Sequence, residues 1–422
     1  MNRGGVSSPR MSPCQTASMD AVVITGVGAV TPLGHDFSTI AEALLAGTSG
    51  VRQVDGGPYC REQRQFAAAI DAIPVPPGID PATIPHLDRL GSMCLTPLAA
   101  ALADAGIDAS AAAAAGKRIG LVLGLGAEHL KGWEADFLSG GQRVFSPQQA
   151  PSLVHILAGI LGINGPAVTA AAACASSGYA LALGRRWVRA GLVDVCLAGG
   201  CDILSPTGFA AFYNLRALSR RGDAPAQASR PFDRDRDGFV IGEGGAFLVL
   251  ERYSDALARG VQPRGELAGV GMSGDASHMV IPSPDPTQAA RAIALALGDA
   301  GEAPEEVDYI NAHAAGTPVG DVAEAAAIRL AFGTAAERVP VSSTKSMSGH
   351  LLSGAAAFEA IACLAAIDRQ CLPPTINLDS PDDRCPLDHI PHIARKRSVR
   401  VTASNSFGFG GANLCLVIRR VA

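Results

Sequence analysis

Short apolar runs alternate with helix-like segments along this chain, and the alternation occurs twice. In the first part, strand-like runs are expected at 21–28, 119–123, 166–170, 193–198 and 247–250. In the second part, they are expected at 266–273, 307–312, 339–342, 400–406 and 412–419, with helices at 287–300, 321–332 and 351–367 between them. Strands that alternate with helices are typical of parallel sheets whose faces are covered by helices. The sequence therefore predicts two similar α/β units around a pseudo-twofold axis.

Three details of the first part qualify this pattern. The helix expected at 87–105 contains Pro97, which removes a backbone donor and predicts a break or a kink. Residues 125–145 are polar and contain glycine, so an irregular wall or lid of a pocket is expected there. The Gly-Val-Gly at 26–28 is not followed by the further glycine of a dinucleotide-binding loop, so no such loop is predicted.

The composition limits the kind of protein this can be. The chain has 422 residues, of which 48% are apolar and 17% are charged, and its formal net charge is −5. A large core is therefore expected, and a disordered chain or one that coats nucleic acid is disfavoured. No apolar run reaches the roughly 18–20 residues that a membrane helix needs. We expect neither a nucleic-acid partner nor a membrane partner.

The cysteines and the N-terminal segment indicate the cellular compartment in which the protein is expected. The ten cysteines are scattered, with no CxxC motif and no recognisable metal-ligand spacing, so no metal site is predicted. A reduced, cytoplasmic protein is the simpler interpretation. The N-terminal segment lacks the apolar stretch of a secretory signal, and residues 1–20 are predicted to be a disordered extension.

One cysteine stands out by its position. Cys174 lies in AAACASSGYALALG (171–184), between the strand expected at 166–170 and a helix expected from Ser176 to Trp187. At the start of a helix, free backbone N–H groups and the positive end of the helix dipole favour the thiolate, which is the nucleophilic form. The alternative is that Cys174 only fills a small site in the core, since free cysteine is often buried.

Two histidines follow strands in the second part. His313 lies in NAHAAGTPVGD (311–321), and His350 lies in SSTKSMSGHLLSGAAAFEA (342–360) together with Lys345. The last motif, SNSFGFGGANLCLV (404–417), predicts either a mobile turn that closes on something apolar or simply a tight turn between two antiparallel strands. Because ligands bind at the carboxyl ends of parallel strands, these loops are expected to converge with Cys174.

These motifs, together with ASRPFDRDRDGFVIGEGG at 228–245, occur in the same order as in the β-ketoacyl-acyl-carrier-protein synthases. The resemblance runs from about residue 21 to 419, and it is to the type II elongating ketosynthases. It implies the thiolase-like fold, an α/β fold in which two duplicated βαβαβαββ halves form a five-layered αβαβα core. It places an N-terminal half with the nucleophile at 21–262 and a C-terminal half with both histidines at 263–422.

The resemblance also implies a reaction and its main residues. Cys174 would take an acyl chain from a carrier-protein thioester. Malonyl-acyl carrier protein would then lose carbon dioxide, and the resulting enolate would attack the acyl-enzyme and extend the chain by two carbons. His313 and His350 would donate hydrogen bonds to the enolate oxygen. The backbone N–H groups of Cys174 and Phe409 would hold the oxyanion of acyl transfer.

Further residues and partners follow from the same resemblance. Lys345 and Glu359 would orient the histidines, and Phe409 would swing as a gate for the acyl chain, with Phe407 supporting the site beside it. The implied partners are an acyl carrier protein, loaded with acyl or malonyl groups, and a second copy of the chain in a homodimer. No cofactor is implied.

The sequence departs from the family pattern at two places. After the first histidine the family usually reads HGTST or HGTGT, whereas here Thr317 keeps one hydroxyl for the pantetheine arm and Ala315 lacks the other. The acyl-pocket wall reads Gly124-Leu-Gly-Ala-Glu-His129, and we expect Leu125 and Ala127 to line the acyl pocket. The sequence therefore does not determine the length of the acyl chain that the protein accepts.

An acidic carrier protein is expected to dock on arginines. The positions that match family docking sites are Arg143 and Arg216, and weaker candidates are Arg61, Arg64, Arg220 and Arg221.

Three other interpretations are available. A non-catalytic chain-length factor resembles these enzymes but lacks the cysteine, which is present here. A thiolase that acts on free coenzyme A shares the fold, but there a second cysteine takes over one histidine role, and His350 argues against it. A ketosynthase of a secondary polyketide or polyene pathway would perform the same chemistry. The altered loops after His313 and at 124–129 are compatible with this interpretation.

Overall fold

The computed structural model describes residues 18–54, 65–141 and 152–421. The strands of the N-terminal half are β1 (Val22–Val30), β2 (Val51–Val54), β3 (Gln65–Ala68), β4 (Ile119–Gly124), β5 (Ala167–Ala170), β6 (Val195–Asp202) and β7 (Gly244–Arg252). Its helices are α1 (Phe37–Ala46), α2 (Arg89–Asp104), α3 (Ala109–Ala114), α4 (Leu130–Leu138), α5 (Leu153–Leu161), α6 (Ser176–Arg189), α7 (Pro206–Asn214) and α8 (Tyr253–Ala258).

The C-terminal half begins with a long strand. Its strands are β8 (Gly265–Gly274), β9 (Tyr309–Asn311), β10 (Pro340–Ser342), β11 (Cys371–Leu372), β12 (Asp388–His389), β13 (Arg395–Lys396), β14 (Val401–Gly408) and β15 (Ala412–Arg419). Its helices are α9 (Thr287–Ala300), α10 (Gly320–Phe332), α11 (Lys345–Ser348) and α12 (Ala355–Arg369).

The main sheet repeats one strand order. Its eleven strands run β12-β10-β9-β14-β15-β8-β1-β7-β6-β4-β5. When the five main strands of each half are counted from its N-terminal end, both halves show the order third, second, fourth, fifth, first. The halves meet between β1 and β8, where Val23 pairs with Glu266 and Ile24 with Gly265. The duplicated α/β fold predicted from the sequence is therefore confirmed.

The strand directions differ from the expectation in one respect. The pairs β4–β5, β4–β6, β9–β10 and β9–β14 are parallel, as predicted. The pairs β6–β7, β1–β7, β14–β15 and β8–β15 are antiparallel, so the parallel arrangement inferred from the alternation of strands and helices holds for only part of the sheet. In the C-terminal half the connection from β14 to β15 is a short turn, which forces the chain to reverse. In the N-terminal half β6 and β7 are antiparallel although a long segment that contains α7 joins them.

Helices separate and cover the two halves of the sheet. Helices α6 and α12 pack against each other between the halves, α2 and α5 cover the outer face of the N-terminal half, and α9 and α10 cover the outer face of the C-terminal half. A central apolar cluster surrounds α6 and α12, and two further clusters lie beneath the outer helices. This arrangement is the five-layered αβαβα core.

The paired glycines of the first strand have a packing role. A Cβ at Gly26 would lie 2.3 Å from the Ala101 carbonyl oxygen of α2, and one at Gly28 would lie 1.9 Å from that of Pro97. The strand therefore packs directly on the helix backbone. In the C-terminal half, the glycines at 269 and 271 of β8 make the same close approach to α9.

Two predictions about the N-terminal half need correction. Helix α2 runs from Arg89 to Asp104 through Pro97, so the predicted break does not occur, and the alternative of a kink at Pro97 stays a prediction. Residues 125–145 were expected to be irregular, but α4 lies within them, and Glu134 on this helix accepts a hydrogen bond from the Thr207 N–H at the start of α7. Of the expected disordered extension at 1–20, only 18–20 are among the described residues; they form a turn in which the Met19 carbonyl accepts from the Ser254 N–H.

Candidate active site

Cys174 lies on a tight turn between β5 and α6. The turn comprises Ala173–Ala175, and Ala173 has a left-handed backbone with φ of 49°. The Ser176 hydroxyl accepts from the Ala172 N–H and donates to the Ala173 carbonyl, which fixes the turn. The Cys174 side chain is 8% exposed. The sulfur is thus held at the carboxyl end of the strand, against the beginning of the central helix.

Both histidines lie near this cysteine. His313 follows β9 and His350 follows α11, and their ring centroids are 5.3 Å apart with nearly perpendicular planes. Together with Cys174, both line a cavity of about 370 Å³. Phe407 near the end of β14 and Phe409 in the turn after this strand line the same cavity. The three separate loops therefore meet at one site, to which both halves contribute.

The two imidazoles are neutral at physiological pH. Burial, reinforced by the positive charge of Lys345, holds the pKa of His313 and of His350 well below the usual value. The Leu352 N–H donates to Nδ1 of His350 at 3.3 Å, so the ring proton of His350 is on Nε2. Nδ1 of His313 has no hydrogen-bond partner among the described residues. Neutral rings of this kind can donate to an oxygen inside the cavity.

The Cys174 thiol is protonated in the resting protein. Burial raises its pKa to about 11, and the negative charges of Asp202 and Glu359 act in the same direction. Lys345 and a hydrogen bond from the Phe409 N–H lower it, but they do not compensate for burial. The helix start was expected to favour the thiolate, but the loss of water around the sulfur has the largest effect on its pKa, and the thiol form prevails.

A buried ion pair supports the site. Lys345 and Glu359 form a direct salt bridge, with side chains 2% and 1% exposed. The Ser406 hydroxyl donates to the other oxygen of Glu359 at 3.3 Å. Because Lys345 is shielded from water, its charge acts on the cysteine and on both histidines.

Two further carboxylates shape the His313 loop, and the sequence reasoning missed both. Glu324 accepts the backbone N–H groups of His313 and Ala314 and the Asn405 amide, and burial raises its pKa to about 7. Asp321 accepts three more backbone N–H groups, those of Phe232, Gly316 and Thr317. Both carboxylates lie on the first turns of α10. The available signal was two acidic residues at the start of a helix that directly follows a histidine motif.

Aromatic side chains connect the predicted gate with the histidines. The Phe409 ring lies 6.1 Å from that of Phe212, which lies 5.2 Å from that of Phe239. The Phe239 ring in turn makes an edge contact with His350 at 5.4 Å. His313 lies 6.1 Å from Phe407 on the other side. The gate residue and the histidines therefore belong to one packed aromatic cluster.

The residue predicted to bind the pantetheine arm, Thr317, lines the cavity, and its hydroxyl oxygen accepts from the Gly320 N–H at 3.1 Å. Ala315, where the second hydroxyl of the family pattern is absent, lines the cavity as well. Arg216 is exposed and lines the mouth of the cavity. Its backbone φ of 54° marks the sharp end of α7. Carrier-protein contact remains a prediction for this arginine.

The other predicted docking arginines divide into two groups. Arg61, Arg64 and Arg143 lie outside the described residues. Arg220 and Arg221 are described and lie beside Asp237, which accepts the Arg220 N–H at 3.0 Å and lies 3.9 Å from the Arg221 guanidinium.

The predicted acyl-pocket residues are not brought to the cavity. Leu125 packs in the apolar cluster under α2 and α5, and Ala127 lies in the turn before α4. Neither lines the cavity of Cys174. Glu128, an unusual residue of this loop, accepts the Leu153 N–H and the Ser152 hydroxyl at the start of α5. Its carboxylate therefore has a capping role, and the acyl-pocket role of the loop remains a prediction.

The described residues contain neither a metal-binding cluster nor a membrane-spanning helix. No group of three or more histidine, cysteine, aspartate or glutamate side chains in this part of the chain could hold a metal ion. No helix among the same residues has the length and the apolar character needed to span a membrane.

Comparison with known proteins agrees with the motifs. Residues 19–256 match the model of the β-ketoacyl synthase N-terminal domain, and residues 264–379 match that of the C-terminal domain. The chain is 39% identical to the 3-oxoacyl-[acyl-carrier-protein] synthase 2 of Synechocystis over 408 residues, which cover 94% of this chain and 98% of that protein.

Similar solved structures are also ketosynthases. A β-ketoacyl synthase from Burkholderia phymatum superposes with a TM-score of 0.86 at 35% identity, covering 95% of this chain and all of that one. A ketosynthase bound to a hexaketide, in complex with its type II polyketide synthase acyl-carrier protein, superposes with a TM-score of 0.84 at 30% identity, covering 95% of this chain and 99% of that one. The family identified from the sequence motifs is confirmed: this chain belongs to the β-ketoacyl synthase family.

Proposed function

We propose that this protein is a 3-oxoacyl-[acyl-carrier-protein] synthase that elongates an acyl chain by decarboxylative condensation with malonyl-acyl carrier protein. The observation that carries the proposal is the meeting of a buried thiol and two neutral imidazoles, Cys174, His313 and His350, in one cavity. The family match and the 39% identical 3-oxoacyl-[acyl-carrier-protein] synthase 2 support the same activity.

The first half-reaction forms the acyl-enzyme. The sulfur of Cys174 attacks the carbonyl carbon of the carrier thioester, and the carbonyl oxygen becomes an oxyanion. The Phe409 N–H, which already hydrogen-bonds the thiol, is placed to stabilise this charge together with the Cys174 N–H. When the tetrahedral intermediate collapses, the pantetheine sulfur leaves. The proton lost by Cys174 ends on that sulfur, so no net proton is released.

The second half-reaction forms the new carbon–carbon bond. Malonyl thioester loses carbon dioxide, and the electron pair of the broken bond passes into an enolate whose oxygen carries the charge. His313 and His350 donate to this oxygen as neutral N–H groups, and the buried Lys345 adds a positive potential. The enolate carbon then attacks the acyl-Cys174 carbonyl. The cysteine sulfur leaves as a thiolate and takes up one proton from water, and the 3-oxoacyl chain is two carbons longer.

The cavity also suits a pantetheine arm. Its wall combines apolar side chains with the hydroxyl of Thr317, and it opens beside Arg216, where an anionic carrier could dock. At Ala315 the hydroxyl that the family pattern supplies is absent, which removes a hydrogen bond of about 0.5–1.5 kcal/mol. An acyl carrier protein is therefore the proposed partner. Because this hydrogen bond is absent, the cavity should bind the pantetheine arm more weakly.

A polyketide or polyene pathway is the second candidate for the same chemistry. The 30% identical ketosynthase bound to a hexaketide favours it, since that protein has nearly the same backbone over 95% of this chain. The two pathways differ in the chain that Cys174 receives. The identity of the product, not the mechanism, distinguishes them.

We further propose a homodimer in the cytoplasm. Strand β5 forms one edge of the main sheet, and its residues Ala167–Ala170 are partly exposed. An apolar, unpaired edge strand is a template for pairing with another chain. The eight cysteines among the described residues are all free thiols, which supports a reducing compartment.

Mass spectrometry of the intact protein tests the proposed function. The protein is incubated with acyl carrier proteins that bear short, medium or long chains, and then with malonyl carrier. Acylation at Cys174 followed by release of a 3-oxoacyl carrier two carbons longer is expected. Cys371 is the control for nonspecific acylation of thiols. Its side chain is more exposed than that of Cys174, and it lies in a small two-stranded sheet. Equal acylation of the protein after Cys174→Ala, or retention of malonyl carrier without decarboxylation, would contradict the proposal.

A further inference from the structure

The motif at 228–245 contributes no reacting group to the proposed mechanism, but one of its arginines binds a wall of the cavity. Nε of Arg236 donates to the Thr317 carbonyl at 3.0 Å, and Nη2 donates to the Pro318 carbonyl at 3.1 Å. Thr317 and Pro318 line the cavity of Cys174, whereas Arg236 does not. The arginine therefore holds this wall from its protein side.

A carboxylate holds the same wall from a second direction. One oxygen of Asp321 accepts the Gly316 and Thr317 N–H groups, each at 3.1 Å, and the other oxygen lies 3.6 Å from Nε of Arg236. The Gly238 N–H donates to the Gly316 carbonyl at 3.1 Å. The ion pair thus binds both backbone polar groups of Thr317, the N–H through the aspartate and the carbonyl through the arginine.

The guanidinium of Arg236 is itself fixed in one orientation. Its Nη1 donates to the Asp233 carbonyl at 2.8 Å and to the carboxylate of Asp382 at 2.7 Å, so each of its nitrogens has a partner. Asp321 and Asp382 supply the negative charge that a buried arginine needs. A satisfied buried network of this kind is rigid, and its rigidity extends to the backbone that it binds.

The backbone held in this way carries a hydroxyl at the cavity. The Thr317 oxygen accepts from the Gly320 N–H at 3.1 Å, and a hydroxyl that accepts one hydrogen bond can still donate its own proton. The amide carbonyls of a pantetheine arm are acceptors for such a proton. Because Ala315 provides no second hydroxyl, binding of the arm depends more strongly on Thr317 and on the groups that position it.

We propose that Arg236, paired with Asp321, is a positioning residue that directs the Thr317 hydroxyl to the pantetheine arm of the substrate. The inference rests on the proposed function, because the arm enters this cavity only if the protein is acylated from a carrier thioester. Arg236 touches neither the arm nor the reacting atoms and acts through the backbone of Thr317. It therefore affects how tightly the arm binds and not the rate of the chemical step.

Arg236→Lys tests this role with two acyl donors. Acyl pantetheine and the S-ethyl thioester of the same acid carry the same reacting group, but only the first has the arm. The acyl group is the one that loads Cys174 of the parent protein fastest. Lysine keeps a positive charge beside Asp321 and Asp382, but it lacks the planar fork that binds two carbonyls at once.

The expected result is a change in KM that depends on the arm. The KM of Arg236→Lys for acyl pantetheine should rise about 2- to 12-fold, the factor that corresponds to one lost hydrogen bond. The kcat should stay within about twofold of the parent value, because binding is lost equally from the ground state and the transition state. The KM for the S-ethyl thioester should stay at the parent value, since this donor has no arm for the hydroxyl to bind.

Thr317→Val provides a second test that leaves the buried ion pair intact. The variant removes the hydroxyl, so its KM for acyl pantetheine should also rise. Because the arginine acts through this hydroxyl, the double variant Arg236→Lys/Thr317→Val should lose no more than the larger of the two single losses. An unchanged KM in Thr317→Val would decide against the inference even if Arg236→Lys did not fold.

Arg185→Lys is the matched control. Arg185 is also buried, donates to two backbone carbonyls, those of Leu267 and Ala268, and pairs with Asp299, but it does not line the cavity. The control should lower the melting temperature, as Arg236→Lys should. The ratio of its KM values for the two donors should stay as in the parent protein.

Three results would overturn the inference. The first is a parent-like KM for acyl pantetheine in Arg236→Lys. The second is an equal rise in KM for both donors, which would indicate general damage to the site. The third is a double variant whose loss is the full product of the two single losses, which would show that the arginine does not act through Thr317. Parent protein that takes up no acyl group from any carrier protein would instead overturn the proposed function, and the inference with it.

Discussion

The two halves of this molecule share a scaffold but differ in chemistry. Both have the same strand order, both pack a Gly-x-Gly strand on a helix backbone, and both start a central helix from a left-handed turn. The N-terminal half presents Cys174 at this turn, and the C-terminal half presents Ser353. The histidines come only from the C-terminal half. The comparison shows that the repeated fold determines where the loops at the strand ends meet. Single residues in these loops determine whether the place where they meet can catalyse a reaction.

The difference is electrostatic as well as chemical. Around Cys174 lie a buried lysine, a backbone donor and two neutral imidazoles. Around Ser353 lie a carboxylate and a backbone amide that already satisfy the hydroxyl. The first environment has unused donors where an oxyanion can form, and the second has none. Only the first turn can therefore act as a reaction centre.

Removal of the thiol should have the largest effect on activity, because it removes the main chemical difference between the two halves. Without Cys174 no acyl-enzyme can form, so Cys174→Ala should lose at least about 10³-fold in condensation. Its melting temperature should stay close to that of the parent, because the side chain is small and borders the cavity. The measurement is 3-oxoacyl product formation together with thermal unfolding. Condensation near the parent rate would show that Cys174 is only a core residue.

Removal of either histidine should separate the two half-reactions. His313→Ala and His350→Ala should each slow malonyl decarboxylation by about 10²–10³-fold, the cost of one lost donor to a developing oxyanion. Acylation of Cys174 should fall much less, since its oxyanion uses backbone N–H groups. Release of carbon dioxide and the mass of the acyl-enzyme report the two steps. An equal loss in both would point to a structural role of the imidazoles.

The buried ion pair should matter for stability. Lys345→Met leaves Glu359 without its partner, and breaking a buried pair in this way costs about 3–5 kcal/mol in the free energy of unfolding. Burial already raises the pKa of Glu359, so the stranded carboxyl should take up a proton. Urea unfolding measures the loss. The double variant Lys345→Met/Glu359→Gln should recover part of it, and a double variant less stable than Lys345→Met would contradict this account.

The sequence predicted the scaffold better than the electrostatics of the site. Apolar runs revealed the repeat because a buried strand needs consecutive apolar residues, and strand ends indicated where Cys174 and the histidines meet. Helix α4 was missed because Gly132 and the mixed polarity of its segment conceal a short helix. The thiol pKa could not be predicted, since it depends on burial by residues far away in the chain. Glu324 did have a sequence signal at the start of α10, but its bond to the Asn405 amide joins segments that are distant in sequence.

The reactivity of Cys174 should depend steeply on pH. The thiolate is the reactive form, and burial raises the thiol pKa to about 11. Below that value the thiolate fraction rises tenfold per pH unit, so the rate of alkylation by iodoacetamide should rise about tenfold per unit between neutral pH and about pH 10. Alkylation at Cys174, followed by mass spectrometry, gives the profile. A rate that levels off near neutral pH would show that the helix start outweighs burial after all.

The smallest expected effect concerns the cavity mouth, since exposed residues of both halves line the cavity, Arg216 from the N-terminal half and Val319 from the C-terminal half. An exposed ion pair contributes about 0.2–1 kcal/mol. Arg216→Ala should therefore raise the KM for carrier protein by about 1.5- to 5-fold and leave kcat unchanged, since docking precedes chemistry. Higher salt should reduce the difference between parent and variant, because the screening length, about 8 Å at physiological salt, becomes shorter as the salt concentration rises. Arg186→Ala is the control, an exposed arginine near the far end of α6. If both variants raise KM equally, the carrier responds to net charge alone, and the mouth shared by the two halves is not its docking site.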